Sequence, residues 1–429
     1  LHTIETWLIA VDNISNVNVN LNYYKYLDDM FELLRHARKN LPLAKKALLM
    51  RVYITLHHFA PIKAVDECDI VLKKLKQYKM VDDRPFCLSI MELKAHALMN
   101  AGLYPDGEIL LKEIQADWLC NKEILSDETL FDLYDRLAAV YRAFNLIDLS
   151  KTYNTLSITL ADKLDDNRLR ALAYRTKFKI TLYPNMDLSS ESLRKSIEAT
   201  ALMPSKRIET DNSLDVCALE ILSNSTVHQD KLILKLNSML QDIEANNLHR
   251  AQIHCFFLLA ICNLLKGEEK ATLLAKEYVD RAINLSTSYG IVGYLWRLYN
   301  LQAIIGIRMG FDSQHIYKIF FTVFDILKKQ GLLYIGNRDA CEGNILALSN
   351  IGYYLQERKF ESQFYQTMSL VTFAGQEYSA YPNQNLSDNP VNTFLVQQYA
   401  KARKREILFA QNTPPNLLWD TQTRYLLIL

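Results

Sequence analysis

Along most of the chain, apolar residues recur three and four positions apart, and Gly, Pro or polar clusters interrupt them at short intervals. That period is helical, because it places the apolar side chains on one face of a 3.6-residue helix. The predicted helices fall in pairs. They are Leu43–His58 with Ile62–Lys79, Phe86–Asn100 with Asp106–Ala116, Asp127–Phe144 with Leu146–Lys163, and Asn167–Leu182 with Ser189–Ala201. The series continues with Asp211–Ser223 and Asp230–Asn246, His249–Leu265 and Glu268–Ser286, Tyr294–Met309 and Ser313–Gln330, and Asp339–Gln356 and Phe360–Phe373. Pro61, Ala101-Gly102, Tyr183-Pro184-Asn185, Gly267 and Gly310-Phe311 supply breaks. Ser126 is suited to cap the helix that follows, with Asp127 and Glu128 in the first turn, where negative charge is favoured.

The ends read differently. Residues 1–40 predict a helical cap, Thr3–Val11 and Tyr23–Lys39, around an Asn-rich loop. After Gly375, Tyr381–Pro390 is loop by composition, Val391–Gln411 is one more helix, and Tyr425–Leu429 is a short strand or an apolar plug. The fold class is all-α, with that C-terminal run as the one β candidate. The division is 1–40, 41–373 and 374–429.

Composition narrows the function. Lys and Arg total 49 against 48 for Asp and Glu, so no global field draws the chain to nucleic acid or an anionic membrane. The densest basic run, Lys401–Arg405, could touch nucleic acid, but one short cluster is weak evidence for it. No apolar run approaches the ~20 residues of a membrane span. Seven scattered cysteines form no CxxC pair and sit among apolar residues, as in Cys255-Phe256-Phe257, which points to a reducing, cytoplasmic setting. Only Gly102 and Gly107 precede Gly267, so the first 266 residues lack the glycine-rich loop of a nucleotide fold. No GxSxG or HExxH signature occurs, and His57-His58 and His249…His254 lack the spacing of paired metal ligands. No enzyme, cofactor or metal is expected.

The pair at Leu133–Leu160 carries the most specific pattern. Leu137, Ala138 and Tyr141 lie on its first helix, Asn145 at its turn, and Ser150 and Ser157 seven apart on its second. Small residues let helices cross closely, and large ones fill the space beside them. Related sets are Ala95, Leu98, Gly102, Tyr104 and Gly107; Leu259, Ala260, Gly267, Ala275 and Ala282; Ala303, Gly306 and Gly310; and Ile351, Gly352, Phe360 and Phe364. On these positions the region 41–373 resembles a degenerate tetratricopeptide-like repeat array, with unit lengths more variable than the family's. The resemblance implies a right-handed α-solenoid whose first helices line a concave face that binds proteins or peptides. Long irregular arrays of this kind are similar to the sensor halves of bacterial multidomain signalling regulators. The opening Leu1 fits an effector domain upstream in the same polypeptide. The alternative is the ligand-sensing part of a transcription regulator with its DNA-binding domain upstream.

Carrying the repeat register onto each first helix puts His96 and Asn100, Tyr134 and Arg142, His254 and Phe257, Arg297, Asn300 and Arg308, and Tyr353 and Gln356 on the concave groove. Asn and Arg offer several donors in fixed geometry to a peptide backbone or carboxylate. Each also reads as an ordinary solvated surface residue. A separate basic face, Arg168, Arg175 and Lys179, can meet an acidic partner or simply pair with Asp162, Asp165 and Asp166.

Overall fold

The computed structural model describes residues 45–330 apart from 46–47, 50, 54, 57–59, 78–83, 145, 183–185, 204 and 223–228, together with 372–373 and 376–377. The N-terminal cap, the last predicted pair apart from 372–373, and the C-terminal segment apart from 376–377 lie outside the described residues.

Described positions between residues 45 and 56 are helical, and thirteen α-helices follow. They are α1 Pro61–Gln77, α2 Arg84–Asn100, α3 Tyr104–Cys120, α4 Asp127–Ala143, α5 Ile147–Lys163, α6 Asn167–Thr181 and α7 Met186–Ala201. Next come α8 Lys206–Leu222, α9 Gln229–Ala245, α10 His249–Lys266, α11 Glu269–Tyr289, α12 Leu295–Arg308 and α13 Ser313–Lys329. A 3₁₀ turn, Val292–Tyr294, precedes α12. Thr372–Phe373 and Gln376–Glu377 form a two-residue antiparallel ladder, so the predicted helix Phe360–Phe373 does not include its last two residues. Among the described residues, no helix is long and apolar enough to cross a membrane.

Local chemistry explains the boundaries. Ser126 accepts from the Thr129 amide at the start of α4, and Asp166 accepts from Arg168 and Leu169 at the start of α6. Gly267 and Gly290 close α10 and α11 with φ of 73° and 65°, a conformation that side-chain-bearing residues disfavour. The predicted start of α8 at Asp211 falls one turn late. The helix begins at Lys206, just past Pro204, and its first turn contains Arg207.

Consecutive helices pack as pairs, α2 on α3 through α12 on α13, in an array of the helical-repeat kind. Contacts that skip a helix link α2 to α4, α4 to α6, α6 to α8, α8 to α10 and α10 to α12. No contacts of that extent join the second helices of the pairs to one another. The first helices are therefore the crowded, inner set, and the array curves around them. One continuous apolar core runs from Leu88 to Leu327 between the two sets.

The crossings use the small residues. In the pair read as the register, Leu137, Ala138, Ser150 and Ser157 are all fully buried, and the Ser150 hydroxyl donates to the Ala138 carbonyl at 2.7 Å. Asn154, between the two serines, donates to the Ala173 carbonyl of α6 at 2.9 Å. α7 repeats the device: Ser189 and Ser196 donate to the carbonyls of Phe178 and Ala171. At Gly306 an added Cβ would lie 2.7 Å from Ile316 Cδ1 and 2.9 Å from the Phe311 ring, so a larger residue there would displace those two side chains.

The curvature is tight enough that early and late helices meet. Arg207 of α8 donates to the Tyr53 hydroxyl at 3.2 Å, across 154 positions. Arg250 of α10 donates to Asn100 of α2 at 3.1 Å, across 150. The 3₁₀ turn touches α2, and Gly102 lies so close to Gln330 that a Cβ would meet its side chain at about 2.8 Å. The inner face is thereby folded into an enclosure.

Candidate functional site

The enclosure is a cavity of about 190 Å³, more than ten times what one water needs. Every residue lining it comes from a first helix of a pair: α2, α4, α6, α8, α10, and Tyr53 from the helical stretch before α1. The spacing on each helix accounts for this. Positions 132, 135, 136, 139 and 142 of α4, and 168, 172, 175, 176 and 179 of α6, fall on one helical face each.

Charge is arranged in two linked clusters. Glu92 of α2 and Asp132 and Asp135 of α4 share one guanidinium, Arg136, at 3.5, 4.0 and 3.2 Å. Thr176 also donates to Asp135, at 2.7 Å. Three carboxylates around one cation leave surplus negative charge, with Glu92 and Asp135 buried and Asp132 about a third exposed. Burial, then Asp132, push the Glu92 carboxyl up to about 8, against the pull of Arg136. Burial also raises Asp132 and Asp135. Glu92 Oε1 and Arg136 Nε are buried and without a hydrogen-bond partner.

In the second cluster, Arg175 of α6 reaches Asp211 and Asp215 of α8, both at 2.6 Å. Burial, the largest influence, would raise both acids, but the surrounding cations together, Arg175 first, then Arg250, Arg207 and Lys179 at Asp211 and Lys179 at Asp215, hold them below the usual carboxylate range. Burial likewise opposes the charge on Arg175, and the two acids hold it firmly protonated. Lys179, one turn further along, makes no ion pair or hydrogen bond among the described residues. Burial, then Arg175, bring its ammonium down to about 7. His96 is kept neutral by burial and by Arg136, Arg250 and Arg207 around it.

Of the residues expected in the groove, His96, Asn100 and Arg142 line the cavity. So do Arg168, Arg175 and Lys179, expected from the sequence as a separate basic face. Asp162 and Asp165 instead pair with Arg170, and Asp166 caps α6. Tyr134 is in the core between Trp118 and Tyr153. Phe257 is also core, and His254 lies beneath Tyr294, 5.8 Å between rings, with its imidazole brought down to about 4 chiefly by burial. Asn300 is fully buried and bonds back to the Trp296 carbonyl. Arg297 stacks on Tyr294 and Trp296, and Arg308 donates to the Leu264 carbonyl near the end of α10. The physical reason is closure: where the array folds back, the inner faces of α10 and α12 are packed instead of open. Tyr353 and Gln356 lie outside the described residues.

Tyr53, Glu92, Asp132, Asp135, Arg136, Arg207, Asp211 and Arg250 also line the cavity and are not among the residues expected from the sequence. A usable signal existed in part. Glu92 precedes His96 and Asn100 by one and two turns, and Asp135 and Arg136 sit two turns or less before Arg142 on the same face. The fold and cavity define a class, an all-α array of stacked helix pairs with a charged inner enclosure. Comparison with protein-family models and with curated proteins finds no match to this chain.

Proposed function

We propose that the chain is a non-catalytic binding and sensing scaffold, a right-handed tetratricopeptide-like superhelix that takes a protein or peptide segment on its inner face. Occupancy changes the curvature of the array and is relayed to a partner domain, because small rotations between successive pairs accumulate along the stack and shift the early helices against the late ones. One observation carries the reading. Charged and polar residues from successive first helices converge on one enclosure, while the outer helices carry dispersed surface charge.

The test is selection from a displayed peptide library on the immobilised protein. Enriched peptides should compete with one another and lose binding in Arg142→Ala and Arg207→Ala. They should bind normally to the outer-face variants Lys151→Ala and Lys195→Ala. Failure of any peptide to enrich, or equal binding by inner-face variants, overturns the reading.

A further inference from the structure

We propose that the cavity is an anion-closed clasp: a compact, multiply charged oxyanion seats between Lys179, Arg207 and Arg250 and ties the early helices to the late ones. This deepens the binding function above and rests on it for biological meaning, but its chemistry is tested separately.

Four cations on the cavity wall, Arg168, Lys179, Arg207 and Arg250, have no acid within ion-pair distance among the described residues. The nearby acids are engaged elsewhere: Asp211 is held by Arg175 at 2.6 Å, and Asp132 and Asp135 by Arg136. Arg207 and Arg250 each spend a donor on a neutral acceptor, Tyr53 and Asn100, and those two hydrogen bonds bridge the early helices to α8 and α10. Guanidinium prefers the bidentate geometry of carboxylate and phosphate oxygens to a single neutral acceptor. An anion placed between these two arginines would engage both at once and hold the early and late helices together.

Two further observations point to a ligand. Glu92, with its side chain about 6% exposed, lines the cavity, and its Oε1 makes no hydrogen bond, its ion-pair partner Arg136 Nε standing off at 3.5 Å. Because that carboxyl keeps its proton, it adds a donor to the wall without adding charge that would repel an anion. Lys179 has lost much of its charge to burial, and an anion beside it would restore the proton. The groups facing Lys179 are Arg175 on its own helix, Asp211 and Asp215 on α8, Arg250 and His254 on α10, and Asp135 on α4. Arg175 is already saturated by the two α8 acids, which leaves Lys179 the unneutralised group. The cavity has room for more than a bare ion, so bound waters can accompany the oxyanion.

The oxyanion can be a phosphoryl group or a set of carboxylates, and calorimetry on the full chain separates these sources. Pyrophosphate and inorganic phosphate form one arm, citrate and succinate the other, with sodium chloride at matched ionic strength as the control. At least one arm should show saturable binding, with net proton uptake at pH 8 revealed by buffers of different ionisation heat. Lys179→Met and Arg207→Ala should each weaken it by about tenfold or more, the usual effect of losing a charge-assisted hydrogen bond. Arg207→Lys should retain part of the affinity. Lys179→Met removes an unfavourably buried charge, so it should remain folded, which separates loss of binding from loss of fold. Heats no different from those of chloride in both arms, or full affinity in Lys179→Met and Arg207→Ala, would overturn the clasp. A displayed peptide that binds the inner face while every free anion fails would overturn the clasp and leave the scaffold reading standing.

Discussion

Replacing Glu92 by Gln should make the protein more stable, and only in neutral to alkaline solution. In the folded chain Glu92 is about 6% exposed, with Arg136 Nε at 3.5 Å, and Asp132 and Asp135 compete for that guanidinium. Its carboxyl holds a proton up to about 8, compared with 4.5 when solvated. The folded state thus binds this proton more tightly than the unfolded state does. The resulting stability is fully present below pH 4.5 and is lost as pH rises through 8. At ~1.36 kcal/mol per pH unit the loss reaches about 5 kcal/mol as a ceiling, and relaxation around the site brings it to roughly 2–4 kcal/mol. Gln matches the size of the protonated acid, keeps a donor and an acceptor, and never ionises. Urea unfolding of both proteins at pH 5, 7 and 9 is the assay. Near pH 5 the midpoints should nearly coincide, and by pH 9 the Gln variant should lead by the full difference. Parallel profiles would refute the shared-guanidinium account, because they would mean that Glu92 ionises as it does in water.

Lys179 should show the opposite slope. Its folded value is depressed to about 7, so its contribution is present above pH 10.5 and lost as pH falls to 7. Lys179→Met should be the more stable protein at pH 7 by roughly 2–4 kcal/mol, with the gap closing towards pH 10.5 in the same urea series. Arg175→Ala strands Asp211 and Asp215 without their shared cation and should cost about 3–5 kcal/mol, read as a lowered urea midpoint at pH 7. Ala138→Leu puts a large side chain into a fully buried crossing where Ser150 reaches the residue's own carbonyl, and should cost about 1–3 kcal/mol by thermal or urea unfolding. A neutral result there would mean that α4 and α5 do not cross at Ala138.

The helix pairs were legible because each is set by local pattern. Periodic apolar residues, Ser126 and Asp166 as caps, and Gly267 and Gly290 as stops place the elements to within a turn. The register at Leu137, Ala138, Ser150 and Ser157 was legible for the same reason, since a close crossing demands small residues wherever it occurs. The site was legible only on α2, α4 and α6. There the inner face stays open, and positions such as His96, Arg142 and Arg175 lie where helical spacing puts them. Beyond α8 the same rule failed for Phe257 and Asn300, because the array folds back and fills that face. Closure depends on contacts such as Tyr53 with Arg207, 154 positions apart, and no local period encodes a contact of that range. Successive first helices begin at Arg84, Asp127, Asn167, Lys206 and His249, intervals that exceed the ~34 residues of a regular tetratricopeptide unit.

The cavity exists only if the early and late helices meet, so that contact is the most direct test. Asn100→Cys and Arg250→Cys would replace the hydrogen-bonded pair that joins α2 to α10. Cys120, the exposed cysteine among the described residues, and Cys341 would be changed to Ser in the same protein. A short thiol-specific cross-linker should convert the native double variant to a faster-migrating monomer on a denaturing gel, at a yield independent of protein concentration. The same reagent should give no such species when the protein is treated in urea, or with either single variant. A folded double variant that yields no internal cross-link, or links only between molecules, would contradict the closed array and the cavity with it.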